Sequence, residues 1–131
     1  LGNQSMKINL PLRIPLSHRR DFILNLNNYR NTHHRVAHEA KRNYTVIVWD
    51  LVNGEKAPDG PLQLTYRYFH GSKGKIDIAN PCSIIDKFTC DALTLAGVWE
   101  DDDMRNVRKV TYEWGGVDKN RPRCELTIES Y

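Results

Sequence analysis

The sequence predicts an α+β fold, a single compact domain in which a mixed β-sheet packs with two main helices. Three observations lead to this prediction. The chain has 131 residues, the length of one domain. Two segments carry apolar residues at helical spacing, and four carry alternating or β-branched residues. Their order is strand, helix, strand, helix, strand, strand, without an internal repeat, which favours a mixed sheet.

The first half of the chain predicts an edge strand followed by a long helix. Residues 7–16 alternate weakly and contain two prolines, which restricts them to a sheet edge or an extended arm. The Asn-rich stretch 25–31 is predicted as a loop, because Asn side chains compete with regular backbone pairing. A helix is predicted from a cap at Thr32 to Gly54. Its apolar face would comprise Val36, Ala40, Tyr44, Ile47 and Leu51.

The second half predicts a strand, a helix and two further strands. Residues 62–70 alternate after a Pro/Gly turn at 57–61, so they predict a strand. A basic loop and the short segment 75–79, which carries Asp77, follow. The second helix is predicted to start near Ser83, three residues before Asp86 as in a capping box, and to end at Gly97. After the acidic loop 100–103, strands are predicted at 107–114 and 123–130, joined by residues 115–122.

Charge divides the chain into a basic and an acidic part. Residues 1–75 carry twelve Lys/Arg against five Asp/Glu, a balance of +7, and all five histidines. Residues 76–131 carry seven against eleven, a balance of −4. This pattern suits a protein that attracts a polyanion and holds a divalent cation near it. The alternative is an ordinary surface with uneven charge.

The composition argues against several protein classes. No apolar run approaches the roughly 18 residues of a membrane span, and no charged leader opens the chain. Three cysteines without a CxxC pair argue against a disulfide framework or a structural zinc site. We therefore expect a soluble protein in a reducing compartment. Residues 1–5 are interpreted as an expression-tag remnant, which leaves 6–131 as the domain.

Acidic residues are the main candidates for chemistry. Mg²⁺ prefers oxygen ligands, and an Asp at a strand end together with an Asp-rich loop would supply them. Simpler interpretations exist: 101–103 as a solvated turn, Asp86 as a helix cap, and Asp91 as an ion-pair partner of Lys87. His33, His34 and His38 admit a zinc site, but with Arg35, Lys41 and Arg42 nearby we favour a basic surface that faces phosphates.

One combination of residues is more specific. It consists of Asp77-Ile-Ala-Asn80, then Lys87, then Asp91-Ala-Leu-Thr-Leu-Ala-Gly97-Val-Trp-Glu-Asp101-Asp102. This combination resembles the core motif of the RusA family of Holliday-junction resolvases, which are crossover junction endodeoxyribonucleases. Residues 6–16, 27–29 and 125–129 are weakly similar to the family's first strand, Asn-rich loop and last strand.

The chain departs from the family pattern at two places. Ala79 stands where the family has its second Asp, and Asp86, Asp91 and Asp103 are candidates to replace that ligand. Lys87 lies four residues later than in the commonest spacing, which is similar to the phage-type branch of the family.

The resemblance implies a RusA-like fold and an Mg²⁺-dependent endonuclease, with Mn²⁺ as a possible substitute. Such an enzyme would resolve four-way or branched DNA by paired symmetric nicks, as a homodimer without a small-molecule cofactor, in phage or prophage recombination or repair. Its place would be the cytoplasm of a bacterial host cell. The implied metal ligands are Asp77 and Asp102, followed by Asp101 and Asp91. Lys87 would act on the scissile phosphate, so Asp77, Asp102 and Lys87 are the expected catalytic residues.

Basic side chains in the first part of the chain are the expected DNA contacts: Arg19, Arg20, Arg30, Arg35, Arg42, Lys73 and Lys75. Two other functions stay open. The chain could be a catalytically weak or inactive RusA-fold module that binds branched DNA, or a small structural or regulatory phage protein.

Overall fold

Six strands and three helices form from residues 5–131, the part of the chain that the computed structural model describes. In chain order they are β1 (Ser5–Leu10), β2 (Arg13–Leu16), β3 (Arg19–Ile23), α1 (Leu26–Asn31), α2 (His34–Val52), β4 (Leu62–His70), α3 (Ala79–Leu95), β5 (Val107–Val117) and β6 (Arg123–Ser130).

Four of the strands form a mixed sheet in the order β1-β6-β4-β5. β4 and β5 are parallel and are joined through α3, because a parallel pair needs a crossover connection. The pairs β1–β6 and β4–β6 are antiparallel. The predicted α+β class with a mixed sheet is therefore confirmed, although three helices form rather than two.

The helices cover one face of the sheet and bury it. Alternation along β4 places Leu62, Leu64, Tyr66 and Tyr68 in the core, as the sequence predicts. Between α2 and α3, the hydroxyls of Tyr44 and Thr89 lie 2.7 Å apart and are fully buried. This bond satisfies two polar groups inside an otherwise apolar interface.

The N-terminal part differs from its prediction. β1 pairs with β6 at the sheet edge, but the chain then breaks at Pro11, and β2 pairs with β3 in a separate hairpin. The stretch 25–31, expected to be a loop, contains α1. Asn25 caps this helix by accepting from the Asn28 N–H at 2.7 Å, so the Asn side chain stabilises a helix end here.

The predicted long helix exists with different caps. α2 begins at His34, and His33 caps it by accepting from the Arg35 N–H through Nδ1 at 3.1 Å. Thr32 instead donates its hydroxyl to the Asn28 carbonyl and so belongs to the end of α1. At the C-terminal end Asn53 adopts the left-handed conformation that ends helices.

The buried face of α2 is rotated slightly from the predicted one. Ala40 and Tyr44 are buried as expected, but Leu51 is 45% exposed. Val48 and Val52 are buried in its place, because they continue the i, i+4 row from Tyr44.

The predicted capping box of α3 is wrong. The helix starts at Ala79, so Ser83 lies inside it and donates its hydroxyl to the Asn80 carbonyl at 3.2 Å. Asp86 turns towards the sheet and accepts from the Tyr112 hydroxyl at 2.8 Å. Residues 75–79 form no strand, so Asp77 precedes a helix and does not follow a strand.

Two boundaries also change. β5 continues through Gly115 to Val117, into the predicted connection. Ser5 belongs to β1, opposite Glu129, whereas residues 1–4 lie outside the described residues, and the interpretation of 1–5 as a tag remnant stays a prediction. None of the helices in residues 5–131 has the length and apolar character that crossing a membrane requires.

Candidate functional site

A cleft of about 810 Å³ lies at the N-terminal end of α3. Its wall is formed by the start of the β2–β3 hairpin, the cap of α1, the end of β4 and the segment before α3. Polar and charged side chains line much of it: Arg13, Asn25, Asn27, His70, Lys75, Asp77 and Asn80. The Asn-rich stretch and the Asp77–Asn80 motif, which are far apart in sequence, therefore meet here.

Asn80 joins the two helices at this cleft. Its Oδ1 accepts from the Leu26 N–H at 2.7 Å, which satisfies a backbone donor at the start of α1. Asp77 accepts from the Ala79 N–H at 3.1 Å and is otherwise exposed. Ala79 thus provides a backbone donor to Asp77 where the family pattern has a second carboxylate.

A polar row runs along α3 from this cleft. Asn80, Lys87 and Asp91 are spaced i, i+7 and i+11, so they project from the same side of the helix. Lys87 is exposed. Asp91 pairs with Lys41 of α2 at 2.7 Å, so its ion-pair partner is not Lys87 as the helix spacing suggested.

The other end of this row meets the acidic loop. Asp101 accepts from the Asp102 N–H at 2.7 Å. Partial burial, a hydrogen bond with Asp101 and the nearby charge of Asp91 raise the pKa of Asp102 above its ordinary value. Asp91, Asp101 and Asp102 are called here the acidic cluster, because Asp102 is hydrogen-bonded to Asp101 and is near enough to Asp91 to feel its charge.

Two other acids are occupied by different partners. Asp103 accepts from the Arg105 backbone and guanidinium, which lowers the pKa of its carboxyl. Asp86 accepts from Tyr112 and from the Cys90 thiol at 3.2 Å, in the layer between α3 and the sheet. Of the three candidates to replace the ligand missing at Ala79, only Asp91 lies in the acidic cluster.

The expected set of four metal ligands is divided. Asn80 and Asp91 are eleven residues apart on α3, which at about 1.5 Å per residue is about 16 Å along the axis. Asp77 precedes Asn80 in the chain, whereas the charge of Asp91 acts on Asp102. Within residues 5–131 no group of three or more His, Cys, Asp or Glu side chains has the geometry to hold a metal ion.

The predicted DNA-contacting residues occupy two surfaces. Arg19 and Arg20 line a groove of about 430 Å³ between the β2–β3 hairpin and the start of α2, together with His33. Lys75 lines the cleft before α3. The remaining predicted contacts are exposed on α1, on α2 and in the loop after β4: Arg30, Arg35, Arg42 and Lys73.

The hairpin that carries Arg19 and Arg20 is attached firmly to α2. Glu39 accepts from the Ser17 backbone at 2.7 Å and from its hydroxyl at 2.8 Å, which lowers the pKa of the Glu39 carboxyl. Asn43 donates to the Pro15 carbonyl at 2.8 Å. The basic groove is therefore a fixed surface of the fold.

A polar network that the sequence did not predict lies beneath α3. Tyr112 and Cys90 both donate to Asp86, and the Tyr66 hydroxyl lies 3.6 Å from the Cys90 sulfur. Burial and the adjoining Asp86 carboxylate raise the pKa of the Cys90 thiol above its ordinary range. The alternation of side chains along β5 could have indicated this network, because it places Tyr112 on the same face as Tyr66 of β4.

The histidines at the start of α2 lie close together. The ring centres of His33 and His34 are 4.3 Å apart, and those of His34 and His38 are 6.5 Å apart. His33 uses Nδ1 to cap the helix. All three are exposed beside Arg35, as the predicted basic surface requires.

Neither a scan against protein-family models nor a search of curated proteins finds a match for this chain.

Proposed function

We propose that this chain is an Mg²⁺-dependent, structure-selective endodeoxyribonuclease of RusA type. It would resolve four-way or branched DNA by paired symmetric nicks, as a homodimer, during phage or prophage recombination or repair in the cytoplasm of a bacterial host. The observation that carries the proposal is the acidic cluster. Asp91 and Asp102, the two ends of the last part of the family-like combination, interact electrostatically in the folded chain.

The acidic cluster has the chemistry that Mg²⁺ prefers. The side-chain atoms that it offers as metal ligands are all carboxylate oxygens. Partial burial, the hydrogen bond with Asp101 and then the charges of Asp101 and Asp91 raise the pKa of Asp102, and a divalent cation would offset the repulsion among these charges. Among residues 5–131 these three carboxylates are not arranged as a metal site, so binding of Mg²⁺ and DNA would have to draw Asp91, Asp101 and Asp102 together. The ion, when bound, would stabilise charge on the scissile phosphate and supply an activated water.

Two lysines border the acidic cluster. Lys87 precedes Asp91 by one turn on the same side of α3, and Lys41 is ion-paired with Asp91. Either ammonium group would attract a phosphate and stabilise the charge that develops on it in the transition state. The Arg19–Arg20 groove would position the DNA backbone without reading its sequence.

Asp77 remains a predicted catalytic residue on the strength of the resemblance alone. It lies with Asn80 at the opposite end of α3 from the acidic cluster. The variant Asp77→Asn therefore tests whether both ends of α3 contribute to cleavage.

A binding module without strong activity is the second candidate. The division of the four predicted ligands and the backbone N–H of Ala79 at the missing ligand position favour it. Such a protein would bind branched DNA through the same basic residues but would cut it weakly or not at all.

The test compares a labelled four-way junction with a duplex of the same sequence, in Mg²⁺ and in EDTA. We expect symmetric Mg²⁺-dependent nicks in the junction only. Asp102→Asn should reduce cleavage by about 100-fold or more while junction binding persists, because it removes a charged ligand. Lys87→Ala should lower the rate more than the affinity.

Asp103→Asn is the matched control, since this neighbouring carboxylate is already paired with Arg105. Its cleavage should stay near that of the parent chain. Asp77→Asn is expected to abolish cleavage, and normal cleavage by this variant would restrict the site to the acidic cluster. A junction that is shifted but not cut would favour the binding module, and Ala79→Asp should then raise activity. Equal binding to junction and duplex would contradict both the endonuclease and the binding module.

A further inference from the structure

β5 is an edge strand of the sheet formed by residues 5–131, and several of its apolar side chains are exposed. Val110, Trp114 and Val117 are 43%, 46% and 44% exposed. The strand is eleven residues long, and it pairs in regular register with β4 from Lys109 to Trp114. Long edge strands with unpaired backbone groups and apolar side chains are templates for another strand.

We infer that a second copy of this chain pairs with β5, strand to strand and antiparallel, about a twofold axis at Thr111. In this register Lys109 lies opposite Glu113 of the second copy, and Glu113 lies opposite its Lys109. Opposite charges directly across an antiparallel pair stabilise it. The twofold axis repeats the attraction, as an isologous interface requires.

Charge selects this register over its neighbours. Moving the axis to Lys109 or to Glu113 would set like charges directly opposite each other, which destabilises strand pairing. Moving it to Val110 or Tyr112 would leave Lys109 and Glu113 without an opposite charge across the strand pair. The axis at Thr111 also lies at the centre of residues 109–113, within the regular part of β5.

The helix-covered face of β5 fits the same register. Val110 would lie opposite Tyr112 of the second copy, and Arg108 opposite Trp114. The first pair covers apolar surface that one copy leaves exposed, and the second places a guanidinium near an indole ring. Glu113 already contacts Arg67 of its own chain at 3.4 Å, so it would lie between two cations.

The inference deepens the proposed function, which needs a twofold dimer but does not locate its surface. The interface itself rests on β5 alone. Measuring association without DNA or Mg²⁺ therefore separates a failure of this interface from a failure of the nuclease proposal.

The experiment measures molar mass in solution by sedimentation equilibrium over a wide concentration range. The parent chain should dimerise. Lys109→Glu should raise the dissociation constant by about tenfold or more, because each attraction becomes a repulsion. Glu113→Lys should act similarly. A mixture of the two variants should form a 1:1 heterodimer, since every cross-strand pair is then opposite in charge.

Lys7→Glu, on the exposed side of edge strand β1, is the matched control and should leave association unchanged. Thr111→Cys provides a second test that does not alter charge. Under oxidation it should form a disulfide between two copies, whereas Lys7→Cys should not. A monomeric parent chain, a Lys109→Glu dimer of parental strength, or a mixture that stays monomeric would each overturn the inference.

Discussion

At the scale of single residues, neighbours give similar carboxylates different roles. Asp86 holds Tyr112 and Cys90 beneath α3, and Asp103 holds Arg105. Asp102 is partly buried, is hydrogen-bonded to Asp101 and is near the like charge of Asp91, and its pKa is raised. The sequence presents all three as possible ligands, but their partners are set by the packing of α3 against the sheet and by the path of the acidic loop.

These opposite pKa shifts predict opposite effects of pH on stability. The contribution of Asp102 is complete below its ordinary pKa of 3.8 and is lost as pH rises through the raised folded value. Asp102→Asn should therefore gain stability relative to the parent chain as pH rises. Asp103 has a lowered pKa, so its contribution is present above 3.8 and is lost as pH falls through the folded value.

Urea unfolding from acidic to neutral pH measures the stability of each variant relative to the parent chain and so checks both directions of change. Asp103→Asn should lose stability relative to the parent chain near neutral pH, the reverse of Asp102→Asn. The same sign for both variants would contradict the assigned neighbours.

Gly115 offers a second test at this scale. A Cβ at this position would lie 2.8 Å from the Phe69 ring, which also packs beneath the Arg123 guanidinium at 4.0 Å. Gly115→Ala should therefore reduce the free energy of unfolding by about 1–3 kcal/mol, because the ring must move. Gly71→Ala is a milder control, since its Cβ would lie 3.3 Å from Pro122 and should cost less in the same urea titration.

At the scale of elements, polar side chains connect helices that the sequence shows only separately. Asn80 ties the start of α1 to α3, and Tyr44 bonds Thr89 between α2 and α3. α1 is only six residues long, and short helices are marginal alone. Its cap and the bond from Asn80 explain why it forms where the composition indicated a loop.

The Tyr44–Thr89 bond predicts strong coupling between two substitutions. Tyr44→Phe should destabilise the chain by about 1–3 kcal/mol, because it leaves the buried Thr89 hydroxyl without its partner. Tyr44→Phe combined with Thr89→Val should cost little more than either single change. A double-mutant cycle by urea unfolding measures this coupling, and additive costs would contradict it.

At the scale of the whole molecule, the Arg19–Arg20 groove and the acidic cluster are carried by different elements. The Arg19–Arg20 groove lies at the β2–β3 hairpin, whereas the acidic cluster follows the C-terminal part of α3. Such a distribution would direct a DNA backbone to one surface and leave a cation near another. The intervening row on α3 carries Lys87.

This arrangement predicts how DNA binding responds to salt. The logarithm of the DNA-binding constant falls with the logarithm of the salt concentration. If Arg19 and Arg20 each contact a phosphate, replacing both by Ala should make this slope less steep by about 1.8. Junction affinity at low salt should fall as well. Lys7→Ala, on β1, should keep the parental slope. Fluorescence anisotropy at several salt concentrations checks this, and an unchanged slope in the double variant would place the contacts elsewhere.

The sequence alone determined the elements whose pattern is strong and local. β4 was predicted at 62–70 and β6 at 123–130, because alternation and flanking turn residues define them, and the apolar row of α2 was largely right. The β2–β3 hairpin, α1 and the true start of α3 depend on contacts between distant residues, such as Asn80 with Leu26 and Glu39 with Ser17. Tertiary structure likewise decided that the charge of Asp91 acts on Asp102 while Asp77 stays apart, because a helix of seventeen residues keeps its two ends at a fixed separation.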